Sequence, residues 1–299
     1  MAASQLSTHQ PEDHRPDEHY LEGPKEPRLD RRYLRPSVFW SIRQGFPGWL
    51  QVVLVMVSLA VPVLIWAGLS YGELVNAKFL PTPTAVVVRG FSMLLDGDLI
   101  VDIFASSARV IAGFTFAALV GIPVGLAMGT FYSMDSLLGG FVRTARYLPI
   151  AAFVPLIIIW AGIDEASKVI IIFLGIVFYN ATMIADAVKF IPNETLNVAY
   201  TLGATRWDVV RRVILPATLP SILDTLRVNV AGAWNFLVLS ELIAAENGLG
   251  FTIVRSQRYL QTDRAMFCIL VICAIGLATD FAFKLLFRLW LPWADSKMS

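Results

Sequence analysis

The sequence predicts an all-α integral membrane protein of about six transmembrane helices, with a cytoplasmic helix-turn-helix between the fourth and the fifth. Three observations lead there. The 299 residues are 56% hydrophobic and 16% charged, with a mean hydropathy of +0.64; a soluble domain is about a quarter charged. The apolar residues come in long runs such as LQVVLVMVSLAVPVLIWAGL, from Leu50 to Leu69, and roughly 20 apolar residues cross the hydrocarbon core as a helix. The alternating pattern of barrel strands is not seen.

The elements follow in order. Residues 1–46 are expected to be a largely disordered cytoplasmic tail. The tail holds all three histidines, His9, His14 and His19. Its Pro, Asp and Glu content and lack of helical spacing favour a solvated tail over a metal site. It has no apolar core, so no signal peptide is expected. Residues 47–101 supply the first span and an outer amphipathic helix, which Thr84 can cap and which carries Val88, Phe91 and Leu95 on one side. Residues 102–291 form the main transmembrane domain, and 292–299 a cytoplasmic C-terminus. Length and apolarity place the spans near 49–70, 105–130, 147–163, 168–188, 225–245 and 265–291.

Orientation follows from Lys and Arg near the span ends. Arg28, Arg31, Arg32, Arg35 and Arg43 precede the first span, which puts the N-terminus in the cytoplasm. Arg143, Arg146, Lys189, Arg206, Arg211, Arg212, Arg288 and Lys297 then fall inside as well. Both termini are expected to be cytoplasmic. The formal charge of +1 gives no reason to expect a nucleic-acid partner. Cys268 and Cys273, on one apolar run, are expected to be small buried hydrophobes rather than a disulfide. With no histidine in the membrane part, His-based catalysis and most zinc sites are excluded there.

In the second span Gly113, Ala117, Gly121, Gly125 and Gly129 recur every four residues. Small residues at that spacing let helix backbones approach closely. The face suits either dimerisation or packing within one subunit, and the second is favoured.

The stretch NVAYTLGATRWDVVRRVILPATLP, Asn197 to Pro220, is too charged to span a bilayer and too patterned for a slack linker. Asn193 is placed to cap a short helix, and Gly203 to end it. Thr205 and Asp208 form a capping box for a second helix. That helix carries Trp207, Val210 and Ile214 on one side, and Pro216 is expected to end it. Such a knob suits a groove on a partner protein or a seat on lipid headgroups; the physics does not choose.

This stretch resembles the cytoplasmic signature loop of ABC importer permeases, whose pattern is Glu-Ala-Ala, three residues, Gly, nine residues, Ile, any residue, Leu-Pro. Ala199 takes the last Ala place, Gly203 the Gly, Val213 the Ile, and Leu215-Pro216 the ending, while Asn197 and Val198 depart from Glu-Ala. FLPTP, SSARVIAGF, PIAAFVPLIIIWAGIDEASK and AWNFLVLSELIAAENGLGF resemble the branch of that family importing nitrate, sulfonates, taurine or bicarbonate. The resemblance covers about residues 80–293. It implies a permease subunit of the bacterial inner membrane, not an enzyme, working as a pair of copies (a homodimer is expected) with two cytoplasmic ATPases and an extracytoplasmic substrate-binding protein. It implies that Ala199, Gly203, Arg206, Leu215 and Pro216 couple the ATPase to the membrane helices. The chain has no G-x-x-x-x-G-K-[ST], so it cannot hold ATP by a P-loop. No cofactor is expected in it; ATP and Mg belong to the partner subunits.

Ionisable groups in spans are costly and are functional candidates. Arg109 and Glu241 lie at similar depth near the outer ends of the second and fifth spans and are expected to pair, as a brace between helices or in contact with substrate. Asp280 and Lys284 are one turn apart and are expected to pair. Asn229, Trp234 and Asn235 make the fifth span polar and are expected to line the pathway, with Asn180 and Asp186 in the fourth as weaker candidates. The competing class is a secondary transporter not coupled to an ATPase. It needs carboxylates in mid-membrane and often inverted repeats, and neither is clear here. An integral-membrane enzyme is disfavoured because no His or Cys cluster exists.

Overall fold

The computed structural model describes residues 47–291, so the expectations for the two terminal tails lie outside the described residues. Residues to Pro62 and those from Val63 onward form separate units. The first half of α1 (Gly48–Tyr71) is therefore described by itself. It is a helix with apolar residues all round, and Leu50 and Leu54 are its half-buried positions.

From Val63 onward, the end of α1 is fastened to the FLPTP stretch. Trp66 Nε1 donates to Pro81 O at 2.9 Å and Ser70 Oγ to Leu80 O at 3.1 Å. These bonds satisfy carbonyls beside two prolines, which offer no N–H of their own. The short helix α2 (Pro83–Leu95) begins with Pro at its first position and is capped by Thr82, whose side chain accepts from Ala85 N. Thr84, the expected cap, lies one residue inside the helix. Val88, Phe91 and Leu95 do share one side, and it is the exposed one, while Val86, Gly90 and Met93 are buried. The physical reason is Gly90: a Cβ there would lie 2.0 Å from the Phe267 ring, so the Gly face is the one another helix can approach.

The core is built on α3 (Asp98–Thr130) and α6 (Glu165–Lys189), which run parallel. A Cβ on Gly113 would meet Ile172, on Gly121 Asn180, on Gly125 Ile184, and on Gly129 Val188, all within 2.5–2.8 Å. The offset is 59 residues at every step, so one four-residue ridge lies against another. The small-residue face of α3 thus packs inside the subunit. Between the two helices in the chain, the expected third span, 147–163, holds only a 12-residue helix, bent away from the helix before it. α4 (Tyr132–Ala145) and α5 (Ile150–Ala161) meet at a bend of 101°. Asp135 in α4 accepts from Arg143 and Lys189, each at 2.8 Å, which ties α4 to the end of α6. Pro149 starts α5, and Gly162 ends it at φ +79.

After α6 come α7 (Asn193–Thr201), α8 (Arg206–Val209), a π-helical turn (Val210–Ile214) and α9 (Leu215–Ala244). Asn193 is the first helical residue of α7, and Pro192 precedes it as the cap without a side-chain bond. Pro216 does not end the second helix, which continues through it into α9. In an α-helix Pro216 would lack its bond to Arg212 O and clash there. The wider π turn just before it opens that spacing. The chain closes with α10 (Leu249–Arg258) and α11 (Thr262–Trp290). Leu226 clusters with Phe283, and Ala233 with Ile275, so α11 runs antiparallel to α9.

Among the described residues five helices are long and apolar enough to cross a membrane, and the count reaches six if the bent α4–α5 pair is one span. Cys268 is buried as expected of a small hydrophobe, but Cys273 is exposed.

Candidate functional site

Two regions stand at opposite ends of α6. At its start is a buried polar centre. Beyond its end is the segment 193–216. The 25 residues of α6 separate them by about 37 Å at 1.5 Å per residue.

The polar centre is organised by Arg109, which is 4% exposed. Its Nη1 donates to Glu241 Oε1 at 2.6 Å and to Asn247 O at 2.8 Å. Its Nε and Nη2 meet the two Glu165 oxygens at 2.6 and 2.7 Å, a two-pronged pair. Nη2 also donates to Asn247 Oδ1 at 2.6 Å. The guanidinium is planar and rigid, so this geometry fixes α3, α6, α9 and the turn before α10 relative to one another. Lys168 adds a second cation, 2.7 Å from Glu165. The register of the ridge explains these neighbours: stepping back along α3 from Gly113 reaches Arg109, and the same step on α6 reaches Lys168.

Glu241 is 1% exposed and has no unused face. Oε1 accepts from Ser106 Oγ at 2.8 Å, and Oε2 from Gly250 N at 2.7 Å. Ser106 accepts from Leu249 N at 2.9 Å. Asp102 accepts from Gly248 N at 2.7 Å and from Thr252 Oγ1 at 2.6 Å. Three successive amides at the start of α10 are thus each held by a side chain from α3 or α9. The orphan donors of a helix N-terminus, with their partial positive charge, suit the carboxylates buried there. Gly248 has φ +118, and a Cβ on it would stand 2.5 Å from Glu241 Oε1, so only glycine allows this approach.

Sequence reasoning singled out Arg109 and Glu241, and the structure brings them together. It missed Asp102, Ser106, Glu165, Lys168 and Asn247. A signal existed for four of these. Asp102, Ser106 and Arg109 are spaced by four and three, one polar stripe on a helix. Glu165 and Lys168 are one turn apart.

At the other end, the turn after α7 is a complete Schellman motif. Gly203 N donates to Tyr200 O at 3.0 Å and Ala204 N to Ala199 O at 3.1 Å, with Gly203 at φ +84. The capping box is present. Asp208 N donates to Thr205 Oγ1, and Thr205 N to Asp208 Oδ2, both at 3.2 Å. Leu196, Ala199, Ala204 and Val213 pack against buried Val188, Val209 and Ile214. The outward side is apolar and basic. Leu202 is 83% and Trp207 68% exposed, and Val198, Arg206, Arg211, Arg212, Leu215 and Pro216 are exposed with them.

The remaining polar candidates divide. Asn235 is exposed and Asn229 half-buried. Asn229 Nδ2 donates to Asn180 Oδ1 at 2.6 Å. Asn180 is fully buried and Trp234 is 5% exposed in the main core with Ala117, Ile176 and Leu237. These two do not line an open surface of this chain. The reason is register: Asn180 faces the Gly121 step of the ridge, and Trp234 fills the layer behind it. Asp280 meets Lys284 at 2.6 Å and Arg227 at 3.8 Å.

Long apolar helices held together by buried polar side chains at one end, with an exposed helical knob at the other, make a multi-span membrane protein. The family profile described as binding-protein-dependent transport system inner membrane component matches residues 121–291, more than half of the chain, and the chain belongs to that family. It is 35% identical over 248 residues to the taurine transport system permease protein TauC of Escherichia coli K12, covering 81% of this chain and 90% of that protein. It is 26% identical over 239 residues to the nitrate import permease protein NrtB of Synechocystis, covering 77% and 86%. Its fold is similar to a chain of the MetNI methionine ABC transporter in an inward-facing conformation, with TM-score 0.57 and 18% identity, covering 64% of this chain and 94% of that one. The chain is a multi-pass permease subunit of an ATP-driven importer of the inner membrane, and ATP hydrolysis is the work of a partner.

Proposed function

We propose that the chain forms the translocation pathway for a small anion of the sulfonate or nitrate class, handed over by a binding protein. The named substrates of its relatives, taurine and nitrate, support that class. Two copies form the pathway between them, and each docks one ATPase, which carries the ATP and Mg, through residues 193–216. Both chain termini and this segment lie on the cytoplasmic side. Asn229 and Asn235 face the pathway, whereas Trp234 and Asn180 support it from within.

The observation that carries this reading is the exposed knob. Leu202 and Trp207 flank a turn whose shape depends on Gly203 at φ +84, and Ala199 supplies the carbonyl that closes it. Exposed large apolar residues beside basic ones mark a protein contact. Docking at this knob moves α9 first, because the segment continues into it through the π turn.

The test is ATP-dependent uptake of taurine or nitrate into vesicles holding the chain with its ATPase and binding protein. Space around Gly203 is open, so Gly203→Val acts through the backbone alone. It should leave the chain in the membrane and remove most uptake. Normal uptake by this variant overturns the docking assignment.

A further inference from the structure

The break between α4 and α5 borders a cavity of about 360 Å³. Arg146, Tyr147 and Pro149 of the break form one wall, Gly175 and Tyr179 of α6 another, and Phe236 of α9 a third. Arg146 is the cation of this cavity. Its Nη2 donates to Tyr147 Oη at 2.9 Å, and its guanidinium carbon lies 4.9 Å from the centre of the Tyr147 ring. Its Nε is buried without a hydrogen bond. Buried polar groups are nearly always hydrogen-bonded, so a bare N–H on an arginine asks for an acceptor. Nearby Arg143 is matched by Asp135 at 2.8 Å, whereas among the described residues no carboxylate forms an ion pair with Arg146.

The sequence groups Arg146 with the cytoplasmic cations, but the structure sets it partway along α6. α4 starts beside the end of α6, where Asp135 meets Lys189, and climbs to Phe141, whose ring stands edge-on to Phe178 at 5.9 Å. Arg146 follows, and its carbonyl accepts from Tyr179 Oη at 3.2 Å. Tyr179 is 14 residues from Glu165 and 10 from Lys189, about 21 and 15 Å along the helix. The guanidinium thus stands between the two ends of a helix long enough to cross the hydrocarbon core. An arginine at that depth is costly and marks a substrate or ion path. The surroundings point the same way. Tyr179 and Met183 are one turn apart and both exposed, and Met183 Sδ lies 3.7 Å from Asn229 Nδ2. The face that carries Arg146 is continuous with the face of Asn229.

We infer that Arg146 is the residue that holds the anion on its way through the membrane. The inference rests on the proposed small-anion cargo and on a pathway that runs past Asn229. The guanidinium is planar, always charged and forked, so two of its N–H groups match two oxygens of a sulfonate or a nitrate. Nε and Nη2 form such an edge. Nε has no partner in the protein, and Nη2 is lent to the hydroxyl of Tyr147, a side chain that is 75% exposed and free to give it up. α5 begins at the same wall, where Pro149 makes no side-chain cap, and the positive end of a helix favours an anion. The other walls are aromatic or apolar. One strong partner is enough to admit the anion and too little to trap it, which is what passage requires.

The test separates binding from transport. Leu148, on the cavity wall and 43% exposed, is changed to cysteine in a chain lacking Cys268 and Cys273. The chain is extracted with its ATPase, and labelling at 148 by a small neutral maleimide is timed. Sodium nitrate or taurine should slow the labelling when Arg146 is present, and Arg146→Gln should abolish the slowing. In vesicles that also hold the binding protein, Arg146→Gln should cut uptake about tenfold, the worth of one hydrogen bond to a charged group. Arg146→Lys keeps the charge without the fork and should fall between the two. Should Arg146→Gln fail to fold, Arg146→Met, of similar length and without charge, takes its place. Labelling that neither anion slows in the chain with Arg146, or that both slow equally in the uncharged variant, overturns the inference. So does uptake by the uncharged variant at the full rate. Vesicles of the unaltered chain that take up neither anion overturn the proposed cargo instead, and the labelling then still decides whether Arg146 holds an anion.

Discussion

Arg109 Nη1 lies 2.6 Å from Glu241 Oε1, and the two side chains are 4% and 0% exposed. Neither charge survives alone at such burial. Removing one partner of a buried pair costs about 3–5 kcal/mol, because the other charge is left without compensation. Arg109→Ala and Glu241→Ala should each lower the folded yield, read as the monodisperse fraction after detergent extraction. Exchanging the two should not restore it. At 241 an arginine would point its N–H groups at the Gly250 amide and the Ser106 hydroxyl, and at 109 a glutamate would face Glu165. A yield for the exchange variant above both single variants would show that the pair acts apart from its surroundings. Glu165→Gln should be milder than Glu241→Gln, because the Glu165 side chain is 62% exposed and Arg109 keeps Glu241.

The α3–α6 ridge predicts which glycines tolerate a methyl group. On Gly125 a Cβ would stand 2.6 Å from the Ala181 carbonyl oxygen, which is backbone and cannot swing aside. Gly125→Ala should lower thermal stability by about 1–3 kcal/mol, the usual cost of overpacking. Gly276→Ala on α11 meets nothing within 4 Å. It should be neutral or gain up to about 1 kcal/mol through the lost freedom of the unfolded chain. Equal melting temperatures for the two variants would remove the close approach of α3 to α6.

Much of this was legible in the sequence where a residue type had one physical use. Glycine every four residues on α3 needs a close neighbour, though the sequence left open whether that neighbour belonged to the same subunit. Thr205 and Asp208 at capping distance, with Gly203 before them, announce the turn after α7. Arg109 and Glu241 stand out because an apolar run makes any charge costly. What escaped was hidden by context. Glu165 and Lys168 look like ordinary charges at a helix start, and Asp102 falls outside the apolar window that marks a span. α4 is too polar in YSMDSLLGGFVRTA to read as part of a span. Pro216 reads as a helix stop because nothing in the sequence signals the π turn that accommodates it.

The turn at Gly203 should grade by backbone freedom. Asparagine visits the left-handed region more readily than other residues with a side chain, and β-branched residues hardly at all. Uptake in vesicles should fall from Gly203→Asn to Gly203→Ala to Gly203→Val. Each variant should enter the membrane in normal amount, since the position touches nothing else. A flat series, with valine transporting as well as asparagine, would mean the positive φ is not used in transport.

The polar stretch of α9 gives the sharpest separation. Asn229 and Asn235 are six residues apart, so they lie about 120° apart around the helix. Asn235 is exposed and Asn229 half-buried, while Val230, Trp234 and Leu237 are 5%, 5% and 0% exposed. A pathway between two copies is wide enough for both asparagines, whereas lipid penalises either one. Single cysteines at these positions, in a chain lacking Cys268 and Cys273, can be probed with a water-soluble thiol reagent. Cysteine at 235 should label readily and at 229 more slowly, because Asn229 is drawn toward Asn180 by the 2.6 Å bond between them. Cysteine at 230, 234 or 237 should stay inert, as those sites face the packed interior of the subunit. ATP supplied with the partner ATPase should change the rates at 229 and 235 and leave the other three alone. Labelling at 230 or 237 with none at 235 would mean that α9 turns its other face to water, and the pathway would then have to be sought on a different helix.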